Sequence, residues 1–282
     1  MSRQHTVLRD FWAWRPGAAA SVFLLVEILA VLLLPLVLGQ DPNLTDRTAG
    51  FWAPPSPQHW LGTDEVGRDL LARLLDGGRT SLLVGFAAAA LGVVLGVPLG
   101  LLAGYKGGKW EYWIMRACDT FQSFPSIILV LAIVNLVGAS VWNIILVIGG
   151  LGWASVARLV YSGTLSAKRM EYVEASRALG AGDGAILFRT ILPNVAAPVL
   201  ASLPLKVVRA ILSESSLSFL GVGLRTPQAS WGNLVQSAME LVNLTTRPWA
   251  WLPAGLCIVA TALSLLLVGE GLRRALNPRQ GG

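Results

Sequence analysis

Charged residues are scarce in this sequence, and their scarcity limits what the protein can be. Only 13% of the 282 residues are Asp, Glu, Lys or Arg, whereas 54% are hydrophobic, and the mean hydropathy is +0.61. A soluble domain needs more charge to cover its surface, so the composition indicates a protein of the lipid bilayer. The net charge of +6 is spread between apolar runs instead of forming one patch. We therefore expect no nucleic-acid partner.

Cysteine and histidine are limited to two residues each. Cys118 and Cys257 lie in or beside apolar stretches, which is typical of small core residues and not of a disulfide or a metal pair. His5 and His59 are far apart in sequence. No Gly-x-x-x-x-Gly-Lys-Ser/Thr loop is present to hold phosphates, so the chain cannot hydrolyse ATP by that mechanism. We expect no catalytic residue, no metal site and no cofactor in this chain.

Long apolar runs are what the sequence has in abundance. A helix needs about 20 apolar residues to cross a bilayer. One run carries no charge over 38 residues, and as a helix it would extend for about 57 Å, which is too long for one span. We expect it to reverse at a polar and small cluster formed by Asn135, Gly138, Ser140 and Asn143. The predicted spans are Ala18–Gly39, Ser81–Gly104, two within Thr120–Ala157, Val195–Phe219 and Trp249–Gly269. The first run lacks a convincing cleavage site and is interpreted as a retained helix. The pattern predicts an all-α membrane protein with six transmembrane helices.

Lys and Arg are unevenly distributed between the predicted loops. With the N-terminus inside, the inner segments hold 13 of them and the outer segments hold six. The inner residues are Arg3, Arg9, Arg15, Lys106, Lys109, Arg158, Lys168, Arg169, Arg177, Arg189, Arg273, Arg274 and Arg279. The outer residues are Arg47, Arg68, Arg73, Arg79, Arg225 and Arg247. Because positive charge accumulates on the cytoplasmic side, both termini are predicted to be cytoplasmic.

The predicted organisation follows from the spans and their loops. It consists of a cytoplasmic tail (1–17), a first span with an extracytoplasmic loop (18–80), a five-span core (81–274) with a cytoplasmic loop at 163–193, and a second cytoplasmic tail (275–282). Within the outer loop we predict a short helix over Thr63–Asp76. Thr63 would cap it, and Asp64–Arg68 and Asp69–Arg73 would form i,i+4 pairs.

The cytoplasmic loop predicts a pair of short helices. Residues 171–179 are good helix formers, and Gly180 can adopt the left-handed turn that ends a helix. A second short helix is expected to run to Pro193, at the start of the fifth span. Such a helix–Gly–helix hairpin would act as a rigid lever. Its small and apolar positions, expected to be exposed for insertion into a groove on another protein, are Val173, Ala175, Ala178 and Leu179.

This loop resembles the EAA motif of ABC importer permeases, in which a coupling helix docks into a cleft on an ATPase subunit. The matching residues are Glu174, Ala175, Gly180, Leu192 and Pro193. The loop departs from the family pattern at Ser176, which replaces an Ala, and at Thr190, which replaces an Ile. The resemblance implies ATPase coupling through Glu171, Tyr172, Val173, Glu174, Ala175, Ala178, Leu179 and Gly180.

Further stretches are similar to the C-type permease of dipeptide, oligopeptide and nickel importers. They are Trp60–Asp69, Met115–Asp119 followed by Phe124-Pro125, Ser213–Gly221 followed by Ser230–Gly232, and Gly269–Arg279, with Glu270 where the family has Asp. The resemblance implies a type I ABC importer transmembrane domain in a bacterial or archaeal plasma membrane. It also implies a homologous B-type permease, two ATPase subunits that bind ATP and Mg, and an extracytoplasmic substrate-binding protein. The resemblance further implies a transport cycle in which those ATPases switch the permease between outward-facing and inward-facing states.

The fifth span carries charges that a membrane segment rarely tolerates without a function. At about 100° per residue, Lys206, Arg209, Ser213 and Ser216 share one helix face. This stripe would line the translocation path or contact the partner permease. Alternatively, Lys206 and Arg209 extend toward the cytoplasmic surface or pair with Glu214.

Other polar or small positions have structural interpretations beside functional ones. Gly92, Gly96, Gly100 and Gly104 recur every four residues and allow close helix packing, within the bundle or against the partner. Glu27 and Asp119 are more consistent with buried or interfacial pairs than with a proton relay. A proton-driven transporter using Glu27, Asp119 or Glu214, and a membrane scaffold, are the rival functions. The substrate stays open among di- and oligopeptides, nickel, metal–chelator complexes and glutathione.

Overall fold

The computed structural model describes residues 9–276, and most of these residues are helical. Arg3, His5, Arg279 and the outermost parts of both predicted tails lie outside the described residues. The helices are α1 (Arg15–Leu38), α2 (Leu70–Lys106), α3 (Gly108–Ser123), α4 (Ser126–Val137), α5 (Val141–Lys168), α6 (Glu171–Ala178), α7 (Leu192–Phe219), α8 (Trp231–Ser237), α9 (Leu241–Thr246) and α10 (Pro248–Leu276). Over this part of the chain, β structure is limited to two isolated bridges.

Six membrane spans account for the apolar helices. The helices α1, α2, α5, α7 with its N-terminal extension, and α10 are each long and apolar enough to cross a bilayer. The sixth span is the pair α3 and α4, which meet at an angle of 89°. The prediction of six spans in an all-α membrane protein is therefore confirmed, including the reversal near Gly138, which separates α4 from α5.

The third span differs from the prediction because it is broken. We placed its start at Thr120 within one continuous run, whereas α3 begins at Gly108 and ends at Ser123. Pro125 excludes the helical conformation from the residue before it, and Phe124 is extended, with φ −97° and ψ 145°. The chain then turns into α4, so the proline divides the span into two arms.

The contact between α2 and α5 is built on glycine. A Cβ added to Gly96 would lie 2.5 Å from the Val156 Cβ, and one added to Gly100 would lie 2.5 Å from the Ala157 carbonyl oxygen. At Gly104 the added atom would lie 2.6 Å from the Thr164 Cβ. The glycine stripe therefore brings two helices of this same chain into close contact, as small residues do in membranes.

The 39–69 loop folds over the start of α2 without the short helix that we predicted. Thr63 forms an isolated bridge with Asp69 instead of capping a helix, and the helix begins at Leu70. Asp69 is its cap, because its Oδ1 accepts the Ala72 backbone N–H at 2.8 Å. The predicted pair Asp64–Arg68 is present, with Nε and Oδ2 2.6 Å apart.

The predicted Asp69–Arg73 pair is not among the ion pairs of the described residues. Asp69 is occupied by its capping bond and by His59, whose Nδ1 lies 2.8 Å from Asp69 Oδ2. Arg73 instead directs its Nε to Asp64 Oδ2, 3.3 Å away. Asp64 thus joins the loop to α2 through two arginines.

Asp46 provides a second fixed charge in the same loop. The Thr48 hydroxyl and backbone N–H both donate to Asp46 Oδ1, at 2.6 and 2.8 Å. These hydrogen bonds lower the pKa of the Asp46 carboxyl to about 2, and the bond from the Thr48 hydroxyl has the largest effect. The ionised Oδ2 of Asp46 lies 3.5 Å from His59 Nε2. Because the other nitrogen of His59 contacts Asp69, this imidazole connects the first part of the loop to its end.

Candidate functional site

The first arm of the hairpin (residues 171–191) is α6, and the charged residues at the two ends of this helix favour the helical conformation. Glu171 and Glu174 lie in the first turn and Arg177 in the last, which complements the helix dipole. The helix closes in a Schellman arrangement. The N–H of Gly180 donates to the Arg177 carbonyl at 3.0 Å, and the N–H of Ala181 donates to the Ser176 carbonyl at 3.1 Å. Gly180 has φ +81°, so the predicted glycine turn is present.

The second arm runs directly into the fifth span. A single turn at Asp183–Ala185 is followed by a π-helical turn at Ile186–Ile191 and then by α7. We predicted a separate short helix, but no break intervenes. In a regular α-helix the ring of Pro193 would clash with the Arg189 carbonyl, and the wider π turn relieves that clash. The second arm and the fifth span therefore form one continuous rod.

Apolar packing anchors the hairpin to the bundle. The Val173 side chain is completely buried in a cluster with Ile186, Ile191, Val160 and Val195. We predicted Val173 to be exposed, and this was wrong, because position 173 faces the second arm and α5 instead of solvent. Val173 is thus an anchor and not a docking residue.

The opposite side of α6 is free in this chain. Leu179 is 88% exposed, although it is a large apolar side chain. The other exposed members of this outer face of α6 are Glu171, Tyr172, Glu174, Ala175 and Ala178. The hairpin therefore presents a mixed apolar and acidic face while its inner side is fixed.

A group of polar contacts attaches the hairpin to α2; we refer to Tyr105, Lys106, Lys168 and Asp183 as the polar base. Asp183 Oδ1 accepts the Tyr105 hydroxyl at 2.7 Å, and Asp183 Oδ2 lies 3.3 Å from Lys106 Nζ. Lys168 Nζ donates to the Tyr105 carbonyl at 2.7 Å. Lys106 and Lys168 were noted only as basic residues of the inner segments, and Tyr105 and Asp183 were not selected from the sequence. Only the acidic Asp183 shortly after the turn glycine could have pointed to them.

A cavity of about 360 Å³ lies among α2, α3, α4, α5 and α7. Three of the four residues of the predicted stripe line it, namely Lys206, Arg209 and Ser213. Lys206 Nζ donates to the Ser155 hydroxyl of α5 at 3.0 Å. The fourth residue, Ser216, is absent from the lining, and its hydroxyl donates to the Leu212 carbonyl at 2.7 Å. The cavity is thus apolar with one cationic side.

Sequence reasoning missed three polar members of the cavity lining, namely Gln122 of α3, Ser126 of α4 and Ser155 of α5. None of them belongs to a charged stripe or to one of the family-like stretches, so nothing in the sequence marked them out. Their position depends on the bend at Pro125 and on the α2–α5 packing.

Glu214 belongs to a different contact. It is completely buried, its Oε2 accepts the Ser81 hydroxyl at 3.2 Å, and its Oε1 accepts the Ser218 hydroxyl at 2.8 Å. Ser81 in turn accepts the Trp231 backbone N–H at 3.1 Å. The alternative that Glu214 pairs with Lys206 or Arg209 is therefore wrong in the structure. Glu214 connects α7 to α2 and α8.

Glu27 and Asp119, which were considered for a proton relay, each contact a neighbouring helix; Asp119 has a charged partner, whereas Glu27 accepts a neutral hydroxyl. The Thr261 hydroxyl of α10 donates to Glu27 Oε1 at 2.7 Å, which joins the first and last spans. Asp119 forms an ion pair with Arg158 between α3 and α5. Their positions are those of contacts between helices, as the structural interpretation predicted.

The fold and the hairpin define a class: a membrane-spanning subunit with a helical hairpin whose outer face is exposed. The family described as "Binding-protein-dependent transport system inner membrane component" matches residues 96–282. The chain belongs to this family. It is a permease subunit of ABC importers, a multi-pass inner-membrane transport component, and the ATPase of such importers is a separate subunit.

Relatives along almost the whole chain support this assignment. A Brucella suis biovar 1 (strain 1330) protein with a peptide-permease name is 40% identical over 259 residues, covering 92% of this chain and 85% of that protein. The oligopeptide transport system permease protein OppC of Bacillus subtilis is 36% identical, covering 94% and 87%. The glutathione transport system permease protein GsiD of Pectobacterium atrosepticum is 34% identical, covering 97% and 92%.

A solved structure shows the same fold. The inward-facing MetNI methionine ABC transporter aligns with a TM-score of 0.59 at 19% identity, covering 72% of this chain and 96% of that chain. The prediction of a type I ABC importer transmembrane domain is confirmed. Members of this family bind no cofactor themselves and work with ATPase and substrate-binding partners.

Proposed function

We propose that this chain is the C-type permease subunit of an importer for di- or oligopeptides. The substrate class is supported by relatives that are named peptide, dipeptide and oligopeptide permeases. They match more than nine-tenths of this chain. Glutathione, itself a small peptide, is the second candidate because the relative GsiD transports it by name.

We further propose the composition of the complex. A homologous B-type permease completes the membrane part, two ATPase subunits bind ATP and Mg, and an extracytoplasmic protein delivers the substrate. The exposed apolar and acidic outer face of α6 supports the ATPase contact, because a side chain such as Leu179, 88% exposed, is suited to burial in a groove. In this arrangement Glu171, Tyr172, Glu174, Ala175, Ala178 and Leu179 touch the ATPase, while Gly180 sets the turn.

The proposed orientation places both termini and the hairpin in the cytoplasm. The excess of Lys and Arg in the segments on that side, 13 against six, supports it. The 39–69 loop then lies outside, near the binding protein or the partner permease. The importer works by alternating access: ATP binding brings the ATPases together, the hairpin moves with them, and the cavity opens outward.

The cavity is the part of the translocation path that this chain contributes. Arg209 and Lys206 place cationic groups at a mainly apolar wall, where they can attract the C-terminal carboxylate and carbonyl oxygens of a peptide. Ser213 and Gln122 add hydrogen-bonding groups. Such a wall suits substrates that vary in side chain but share a backbone.

Uptake into proteoliposomes containing the purified complex and its binding protein tests the substrate class. Radiolabelled dipeptide, hexapeptide, glutathione and Ni²⁺ are supplied separately, each with and without internal ATP. ATP-dependent accumulation of either peptide supports the proposal. Accumulation of glutathione alone would select the second candidate, and Ni²⁺ alone would exclude peptides. Uptake that needs a proton gradient but no ATP would establish the rival secondary transporter.

A further inference from the structure

The hairpin is connected unequally to the helices that surround the cavity. Along the chain it is joined covalently to α5, which ends at Lys168, and to α7, into which its second arm continues. The chain gives it no such connection to α2, yet α2 contributes Ala88, Ala89 and Gly92 to the cavity wall. The links between α2 and the hairpin are therefore non-covalent: its glycine packing against α5, its apolar contacts near Val173, and the polar base at its end.

The polar base is the last of these links. Both oxygens of Asp183 are used, and they bind two successive residues at the end of α2, Tyr105 at 2.7 Å and Lys106 at 3.3 Å. Hydrogen bonds are directional, so the Tyr105–Asp183 bond constrains the distance and orientation of α2 relative to the hairpin, and the exposed Lys106 adds a weaker charged contact. The apolar cluster around Val173, which includes Leu101 of α2, holds the hairpin against the bundle but is not directional.

Neighbouring charges reinforce this geometry from three elements. Lys168 of α5 donates to the Tyr105 carbonyl and lies 5.6 Å from the centre of the Tyr105 ring. Arg177 of α6 lies near both Tyr105 and Asp183. Lys106 occupies the last turn of α2, where a cation is favoured by the helix dipole. The ends of α2, α5 and α6 therefore meet the start of the second arm at one group of side chains.

We propose that Tyr105 and Asp183 are positioning residues that transmit hairpin movement to α2. This inference rests on the proposed function, in which an ATPase moves the hairpin. When the hairpin moves, α7 and α5 follow through the chain, and α2 follows through the Asp183 bonds. The wall of the cavity formed by α2 then moves together with the wall formed by α7.

Paired reporters on the two walls test this idea in the complete complex. In a background with Cys118→Ser and Cys257→Ser, a single cysteine is introduced by Ala89→Cys on α2 or by Ser213→Cys on α7. The rate of labelling by a small methanethiosulfonate is measured with and without ATP and vanadate. Each reporter is combined with Tyr105→Phe, with Asp183→Asn, or with the control Tyr161→Phe. Tyr161 also donates to a carboxylate, Glu111, but that bond joins α3 and α5 and not the hairpin.

We expect the two reporters to respond differently to the loss of the Tyr105–Asp183 bond. With Tyr105→Phe or Asp183→Asn, the nucleotide-dependent change in labelling at Ala89→Cys falls by about fivefold, at the lower end of typical couplings between sites. The change at Ser213→Cys persists, because α7 is joined to the hairpin by the chain. The control Tyr161→Phe retains both responses.

Two results would overturn the inference while leaving the proposed function intact. One is an unchanged response at Ala89→Cys in both variants, which means that α2 needs no polar link. The other is equal loss at both reporters with the ATPase still co-purifying, which means that the polar base acts only through general stability. If the unmodified complex contains no ATPase, the proposed function itself fails, and the inference fails with it.

Discussion

Asp64 shows how a single carboxylate organises a loop in a chain with little charge. Its side chain is 1% exposed, and it binds Arg68 Nε at 2.6 Å and Arg73 Nε at 3.3 Å. Its other oxygen accepts the backbone N–H groups of Val66 and Arg68, at 3.0 and 2.9 Å. Removing the charge of this buried carboxylate leaves the Arg73 guanidinium, which is 3% exposed, without its ion pair to Asp64, and leaves Arg68 with its ion pair to Glu65.

The substitution Asp64→Asn is therefore expected to destabilise the 39–69 loop strongly. Breaking a buried pair by removing one partner costs about 3 kcal/mol or more, because the remaining charges stay buried. Thermal unfolding in detergent should show a Tm lower by at least about 5 °C. Asp41→Asn is the control, since Asp41 is exposed and accepts only the Asn43 N–H. Equal Tm values for the two variants would contradict this role of Asp64.

Arg209 is the residue whose replacement tests the cavity. Arg209→Met keeps a long side chain but removes the cation that lines the cavity. We expect peptide uptake to fall by about tenfold, the effect of losing one charged hydrogen bond of about 1.4 kcal/mol, while assembly with the partners is unchanged. Lys109→Met, at an exposed position outside the cavity lining, should leave uptake unaltered. Normal uptake by Arg209→Met in an assembled complex would exclude Arg209 from the path.

Single residues were predicted well where local chemistry decides and poorly where tertiary contacts decide. Gly180 and the Asp64–Arg68 pair follow from local spacing, and both are present. Val173 and Asp69 were misjudged, because the first is covered by the second arm and the second is engaged by His59, ten residues away. Such competing partners cannot be read from the residue's own surroundings in sequence.

At the scale of helices, the α2–α5 contact is the most demanding in its geometry. Gly100→Ala places a Cβ 2.5 Å from the Ala157 carbonyl oxygen, which forces the two backbones apart. We expect a loss of about 1–3 kcal/mol in stability, as for overpacked cores. Gly150→Ala, in α5 with nothing within 4 Å of the added atom, should be neutral or stabilising because alanine favours helix. Unfolding curves of both variants that coincide with the parent protein would contradict the proposed close packing.

The helices themselves were predicted to the extent that apolar length defines them. The long runs of α1, α2, α5, α7 and α10 are apparent in the sequence, and each is a span. The bend of 89° between α3 and α4 was missed, because hydropathy continues across Phe124-Pro125 while the backbone does not. The start of α2 at Leu70 was also missed, because Thr63 was predicted to cap a separate short helix, whereas Asp69 is the cap in the structure.

For the whole molecule, the family resemblance predicted more than composition alone could. Composition and periodicity led to a six-span membrane protein, whereas the hairpin motif led to the ABC importer permeases, and membership is confirmed. The structure adds how the motifs meet. Ser81 and Glu214, 133 residues apart, form a hydrogen bond, and Ser81 also binds the backbone of Trp231. Contacts over such separations depend on the complete bundle.

We propose that the ATPase binds to the outer face of α6. Purification of this chain in mild detergent, with identification of the proteins that accompany it, tests this contact. Wild type is compared with Glu174→Arg, which reverses a charge on the exposed face, and with Glu240→Arg, which reverses an exposed charge near α9. We expect an ATPase and a second permease with wild type and Glu240→Arg, and loss of the ATPase alone with Glu174→Arg. Retention of the ATPase by Glu174→Arg, or its absence from folded wild type, would contradict the claim.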